Sequence, residues 1–253
     1  MSSHTTTRYS EYDRFARIHS ETWGLELKQW VPEIAKLLKQ HLPGEVPKLL
    51  QILDLCCGTG ELAAGLQNLG YRVTGIDGSV EMLRYAHQNA PDSQFILDDA
   101  RFFQLPSTFH GVISTNVSFN HILELEDLTR VLCNVYNALL PDGVFIFDLR
   151  LDASYRSSWQ DTVLGDIKDD CVWTLLRSYN LETRIGQIEI AILELLQQKW
   201  QRSNITWSVK GYFQDEVYSA LEEAGFRNIS VYDAERDFQH PRGIGVVYFI
   251  CRK

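Results

Sequence analysis

The stretch Leu49 to Ala63, LLQILDLCCGTGELA, decides the fold. It opens with an apolar run, carries an acid at Asp54, and tightens to Cys57-Gly58-Thr59-Gly60 before residues suited to a helix. Ile and Leu on both alternations predict a strand buried on both faces. The glycines after it predict a turn where backbone closely approaches a ligand, so a nucleotide-like cofactor is expected there.

Upstream, Tyr12, Phe15, Ala16 and Ile18, then Trp23, Leu27, Val31, Ile34 and Leu38, recur at steps of three and four. The spacing predicts two amphipathic helices, the second from near Glu26 to His41, together a helical cap over residues 8–41. Met1 to Thr7 is small and polar and expected to be disordered, and Pro43, Gly44 and Pro47 are expected to break the helix. The cap covers the sheet, and its aromatic density also suits a flap over a cofactor.

Downstream, helix and strand alternate. Glu61 to Asn68 has helical spacing with a stop at Gly70, Tyr71 to Asp77 reads as a strand, and Ser79 to Asn89 as a helix with Ser79 as its N-cap. Strands are expected at Phe95 to Leu97, Val112 to Thr115 and Val144 to Asp148, with a helix from Leu125 to Leu140 before the last of these. Acids or polar residues stand at the carboxyl ends of the strands. This predicts an open, mostly parallel α/β sheet with ligands along one edge.

The alternation stops after Asp148. Cys171 to Asn180, Gln187 to Leu195 and Lys199 to Val209 predict an inserted antiparallel β-ribbon within residues 151–209, with a hairpin loop near Gly186. Phe213 to Ala224 reads as a helix, and Asn228 to Tyr232 and Gly245 to Cys251 as closing strands. With no internal repeat or low-complexity linker, residues 1–253 read as a single domain.

Composition narrows the function. At 253 residues and 45% hydrophobic, the chain can bury a full core. A formal net charge of -9 works against a general affinity for phosphate backbones, so nucleic acid is not the expected partner. Five dispersed cysteines without a CxxC pair read as core residues or reduced thiols, and no metal site is expected. No run approaches a membrane span, and Arg8, Glu11, Asp13, Arg14 and Arg17 interrupt any signal-peptide core; a cytoplasmic protein is expected.

Alone, Gly58-Thr59-Gly60-Glu61-Leu62-Ala63 satisfies the GxGxxA form of a dinucleotide fingerprint, with Asp77 at ribose-binding distance. A nicotinamide-dependent dehydrogenase is therefore one reading. Three features favour another ligand. Asp54 stands where an acid can receive an ammonium group, Asp98-Asp99-Ala100 follows the third strand where it could pair with an adenine amine, and no second nucleotide-binding half follows.

In this order ILDLCCGTG (52–60), GIDGSVEMLRYA (75–86), LDDA (97–100), VSFNHI and ALLPDGVFIFDL resemble the class I S-adenosylmethionine-dependent methyltransferases, from about Tyr9 onward and least in the insertion. The resemblance implies a Rossmann-like, doubly wound sheet of about seven strands with an antiparallel last strand. It implies S-adenosylmethionine as cofactor, with Asp54, Cys56, Gly58 and Gly60 around its methionine and ribose and Asp77 on the ribose hydroxyls. Gly78, Ser79 and Met82 would lie against the adenine, and Asp99 with the Ala100 backbone would read its edge. Asn116 would contact the methionine end and Tyr12 would cap it. The family usually has Gly at the position of Cys56, and a side chain there narrows the pocket. Cys57 reads as filler.

Blander readings stand beside these. Asp54 could neutralise the helix after the turn, and Asn120 or His121 could cap the segment that follows. Trp173, Arg177, Trp200 and Trp207 suit either packing or a substrate lid. Methyl transfer needs chiefly alignment and exclusion of water; if the acceptor must lose a proton, His121 is the candidate base. The expected reaction is transfer to an oxygen or nitrogen of a small-molecule acceptor by a monomer or homodimer. A tRNA-base methyltransferase and a non-catalytic S-adenosylmethionine-binding module are the alternatives.

Overall fold

The computed structural model describes residues 10–42, 50–159, 162–238 and 245–253. After a 3-10 turn (Glu11–Arg14) come α1 (Ala16–Glu21) and α2 (Trp23–His41). The alternating part follows: β1 (Gln51–Leu55), α3 (Glu61–Asn68), β2 (Arg72–Asp77), α4 (Val80–Asn89), β3 (Gln94–Leu97), β4 (Phe109–Ser114), a second 3-10 turn (Ser118–His121), α5 (Leu125–Ala138) and β5 (Leu139–Arg150). Next are α6 (Asp152–Ser158), β6 (Thr162–Ile167), β7 (Cys171–Asn180), β8 (Ile185–Leu196) and β9 (Lys199–Lys210). The chain closes with α7 (Gln214–Glu223), β10 (Arg227–Asp233), α8 (Ala234–Phe238) and β11 (Val246–Arg252).

Seven strands form one sheet in the order β10-β11-β5-β4-β1-β2-β3. β1 to β5 pair in parallel, and β11 runs antiparallel to both neighbours, as expected for the last strand. β1 is central because both of its faces are apolar. Leu53 and Leu55 enter a core with Leu128, Leu132 and Val135 of α5, and Ile52 enters another with Leu38 of α2 and Leu62 and Leu66 of α3. Each of these fully buried side chains contributes about 2 kcal/mol of transfer free energy. That core fixes the strand ends on which the site stands.

β6 to β9 form a separate four-stranded antiparallel sheet. Strict alternation assigns its inner face: Trp173, Leu175, Ile188, Ile190, Ile205 and Trp207 are buried, in one cluster with Phe15 and Ile18 of the N-terminal segment. The ribbon therefore packs on the cap.

Several boundaries differ from the sequence reading. The second helix begins at Trp23, because Thr22 (φ -128°, ψ -91°) breaks α1 from α2. α5 ends at Ala138, since Leu139 is already extended and pairs with Phe109. The insertion has four strands, not three: β6 was hidden because TVLGDI lacks alternation and lies almost wholly exposed at an edge. The short α6 and α8 carry too little periodicity to read. Met1 to Thr7 and the Pro43, Gly44 and Pro47 break lie outside the described residues.

Candidate active site at the strand ends

β1 delivers Asp54 to the carboxyl edge of the sheet, and the turn after it is stitched to β2 by the Cys57 amide donating to the Ile76 carbonyl (2.9 Å). Cys56 (φ 61°), Gly58 (φ 52°) and Gly60 (φ 81°) are all left-handed. That conformation explains why glycine suits position 56; the Cys side chain accepts a strain of roughly 1–2 kcal/mol. At Gly60 no side chain fits, because a Cβ would lie 2.8 Å from the Ala86 Cα. The turn thus packs directly onto α4.

Asp77 ends β2 and holds the turn from the other side. Its carboxylate accepts the Gly58 amide (2.8 Å) and the Ser79 amide (2.9 Å). Asp148, in β5, accepts the Asn116 (3.1 Å) and Val117 (2.8 Å) amides. Both of those residues have positive φ, 66° and 53°, and for the β-branched Val117 that is strain which the two hydrogen bonds hold in place. Asp54 is 2% exposed, and its Oδ2 has no hydrogen-bond partner among the described residues.

Three carboxylates, Asp54 and Asp148 buried and Asp77 half-buried, therefore gather at the ends of β1, β2 and β5, all held above the usual carboxylate range. Burial pushes Asp54 up to about 8, with the charges of Asp77 and Glu61 adding to it. Burial raises Asp77 to about 6 and Asp148 to about 7, against the pull of the amides they accept. Such a set is suited to a cationic ligand, whose charge would draw all three back toward ionisation. The unpartnered Asp54 oxygen is an acceptor of the kind an ammonium group satisfies.

The N-terminal segment closes the site from above. Asp13 accepts the Ser79 hydroxyl (2.5 Å) and the Glu81 amide (3.2 Å) at the start of α4, where the helix dipole favours an anion. Ser79 caps that helix as expected, accepting the Met82 amide (3.1 Å). Tyr12 stacks on Trp207 of β9 (4.1 Å between centroids, 7° between planes), and its hydroxyl lies 2.8 Å from His121 Nε2. Burial holds the Tyr12 hydroxyl well above its ordinary value and lowers His121 to about 4, so near neutrality Tyr12 donates and His121 accepts. The nitrogen expected to act as a base is thus already engaged.

The sequence-derived set falls into two groups and one residue apart from them, Met82. Asp54, Cys56, Gly58, Gly60, Asp77, Gly78, Ser79, Asp99, Ala100 and Asn116 line the ends of β1 to β4. Tyr12 and His121 meet under the ribbon. Met82 is 2% exposed within the Phe15 and Trp173 cluster. Asp99 is engaged by Arg101, whose guanidinium donates to both carboxylate oxygens (3.0 and 2.6 Å), and the Ala100 carbonyl accepts from Asn134 (3.3 Å). Asn120 is structural: its amide bonds the Arg150 and Lys210 carbonyls and the Arg150 amide, tying β5 to β9.

The sequence reading missed His19, Thr59, Glu61 and Asp148. His19 Nδ1 lies 2.9 Å from Thr59 Oγ1, and that hydroxyl donates to the buried Glu61 carboxylate (2.8 and 2.6 Å). Only Asp148 left a signal, as the acid of a fourth strand end after Asp54, Asp77 and Asp98-Asp99. Among the described residues no group of His, Cys, Asp and Glu could hold a metal ion. Open clefts of about 370 Å³ beside Tyr218 and Phe226 and about 440 Å³ beside Ile167 and Trp173 lie away from these strand ends.

A model of the methyltransferase domain matches residues 52–143. A protein of Geobacillus sp. (strain WCH70), provisionally assigned as a methyltransferase, is 30% identical over 233 residues, covering 88% of this chain and 92% of its own. The chain belongs to the class I S-adenosylmethionine-dependent methyltransferases. Its fold is that of an S-adenosylmethionine-dependent methyltransferase from Clostridium acetobutylicum ATCC 824 (TM-score 0.76, 18% identity, 96% of this chain and 99% of that one). It is equally that of a sugar N-methyltransferase from Streptoalloteichus sp. ATCC 53650 (TM-score 0.75, 18% identity, 100% and 99%). The cofactor of this methyltransferase is S-adenosylmethionine, and the acid-lined strand ends with their orphaned Asp54 oxygen fit a sulfonium that also carries an ammonium.

Proposed function

We propose that this methyltransferase transfers the methyl group to a nitrogen or oxygen of a small-molecule acceptor, held between the strand ends and the inner face of the β6 to β9 ribbon. The observation that carries this reading is the Tyr12 ring stacked on Trp207 of the ribbon with its hydroxyl on His121, which brings the N-terminal turn, the ribbon and the strand-end side together over a site of small-molecule scale. The net charge of -9 argues in the same direction. The likeness to a sugar N-methyltransferase supports an amine on a small polar molecule as the first acceptor to test.

In this reading residues 8–41 act as a cap and residues 151–209 as a lid on a single domain of residues 1–253. Asp54, Cys56, Gly58 and Gly60 hold the methionine and ribose side of the cofactor, and Asp77 the ribose hydroxyls. Gly78, Ser79 and Met82 flank the adenine, Asp99 and Ala100 read its edge once Arg101 yields, and Asn116 and Tyr12 bound the methionine end. S-adenosylmethionine supplies an activated methyl group on a sulfonium. The protein's task is alignment and exclusion of water. His121, neutral near pH 7, takes a proton at Nε2 from an acceptor that must lose one, after the Tyr12 hydroxyl turns aside. The protein acts in the cytoplasm as a monomer or homodimer.

The test is a methylation assay with isotope-labelled S-adenosylmethionine against amino sugars, amino acids, simple amines, hydroxylated metabolites and tRNA. Labelled small molecules are the expected product. Labelled tRNA alone, or no labelled product from a protein that binds the cofactor, would overturn the reading.

A further inference from the structure

We propose that His19 is a second contact for the α-ammonium of S-adenosylmethionine, a role its fixed hydrogen-bond wiring gives it. The inference rests on reading the Asp54 end of the site as the methionine side. It begins with Glu61, 1% exposed beneath α2, where a Cβ on Gly24 would lie 2.5 Å from its Oε1. Thr59 is fully buried, and its hydroxyl hydrogen is committed to that carboxylate at 2.8 and 2.6 Å. The Thr59 oxygen can then only accept, so the proton of His19 lies on Nδ1, 2.9 Å away.

With the tautomer set, Nε2 of His19 bears a lone pair. It faces the Asn116 side-chain amide at 3.5 Å, a weak contact at the limit of hydrogen bonding. The imidazole also rests on the glycine turn: a Cβ on Gly58 would lie 3.3 Å from His19 Cε1. His19 thus stands between Gly58 and Asn116, two residues assigned to the methionine end, and offers an acceptor there. Burial lowers its titration to about 4, so near neutral pH it receives N–H groups and carries no charge to pair with a carboxylate. A methionine moiety has one strong N–H donor, its ammonium. The ammonium would then divide its hydrogens between Asp54 Oδ2, which has no partner among the described residues, and His19 Nε2.

The experiment measures binding of three ligands to the full chain by calorimetry. S-adenosylhomocysteine carries ammonium and carboxylate, S-adenosyl-3-thiopropylamine carries the ammonium alone, and 5′-methylthioadenosine carries neither. His19→Ala should weaken the first two by about tenfold or more, the range of a hydrogen bond to a charged group, and leave the third within about twofold. His19→Gln, whose carbonyl oxygen can accept, should recover much of the loss, and Thr59→Val should reproduce part of it by freeing the tautomer. Unchanged affinity for 5′-methylthioadenosine shows that the variants fold with an intact nucleoside site. A loss confined to S-adenosylhomocysteine would assign His19 to the carboxylate, and equal loss or no loss for all three ligands would remove it from the site; either result overturns the proposal. If the unaltered protein binds none of the three, the methyl-donor site itself is misassigned.

Discussion

Replacing Asp54 by Asn should make the ligand-free protein more stable and the cofactor complex weaker. In the fold this carboxyl titrates at about 8 because it is buried beside Asp77 and Glu61, whereas its ordinary value is 3.8. A group raised in this way favours the native state below its unfolded value, and that advantage is lost as pH rises toward the folded value. At pH 7 the difference corresponds to about 4 kcal/mol of lost stability, since each tenfold displacement is worth about 1.4 kcal/mol. Asn keeps the shape and an accepting oxygen without the ionisation. The variant should therefore melt on the order of 10 °C above the parent at pH 7 to 8 without ligand, given about 2–4 °C per kcal/mol for a chain of this size. The gap should close toward pH 4. Saturating S-adenosylhomocysteine should reverse the order, because the parent gains an ammonium–carboxylate contact that Asn supplies poorly, an expected loss of about tenfold to a hundredfold in affinity. Thermal melts from pH 4 to 8, with and without ligand, read both effects. A variant no more stable than the parent at pH 8, or a gap independent of pH, would refute the argument that an uncompensated carboxylate sits at the end of β1.

Gly60→Ala should destabilise the protein by roughly 2 kcal/mol or more in urea unfolding, since it combines a positive φ with a Cβ 2.8 Å from Ala86; an unchanged midpoint would contradict the contact. Asp13→Ala removes the acceptor of the Ser79 hydroxyl and Glu81 amide, so amide exchange of residues 10–22 should accelerate about fivefold or more, with α5 unaffected. His121→Ala should lower turnover on an identified acceptor by about a hundredfold while changing S-adenosylhomocysteine affinity by less than about threefold; full turnover would exclude His121 from proton transfer.

The main sheet was legible because its signals are local. Glu61–Asn68 forms the expected helix residue for residue, and Ser79 caps α4 through the side-chain bond its position implied. The glycine turn and the acids Asp54 and Asp77 likewise meet because parallel strands deliver their carboxyl ends to one edge. What stayed hidden depends on contacts remote in the chain. His19 reads as an ordinary polar position on a short helix until α1 lies over Thr59, and Trp207 reads equally well as packing until Tyr12 stacks on it. The edge strand β6 was invisible for a different reason: an edge held by backbone pairing to β7 imposes no alternation on its side chains.

The Tyr12 and Trp207 stack joins the two ends of the mechanism through one hinge of contacts. Any movement that lifts the N-terminal turn to exchange the nucleoside takes the stacking partner from Trp207 and the donor from His121 in the same motion. On the proposed reading, the acceptor's wall would exist only while the turn is down. Loading should therefore be compulsory in sequence, donor before acceptor, with the spent donor the last to depart.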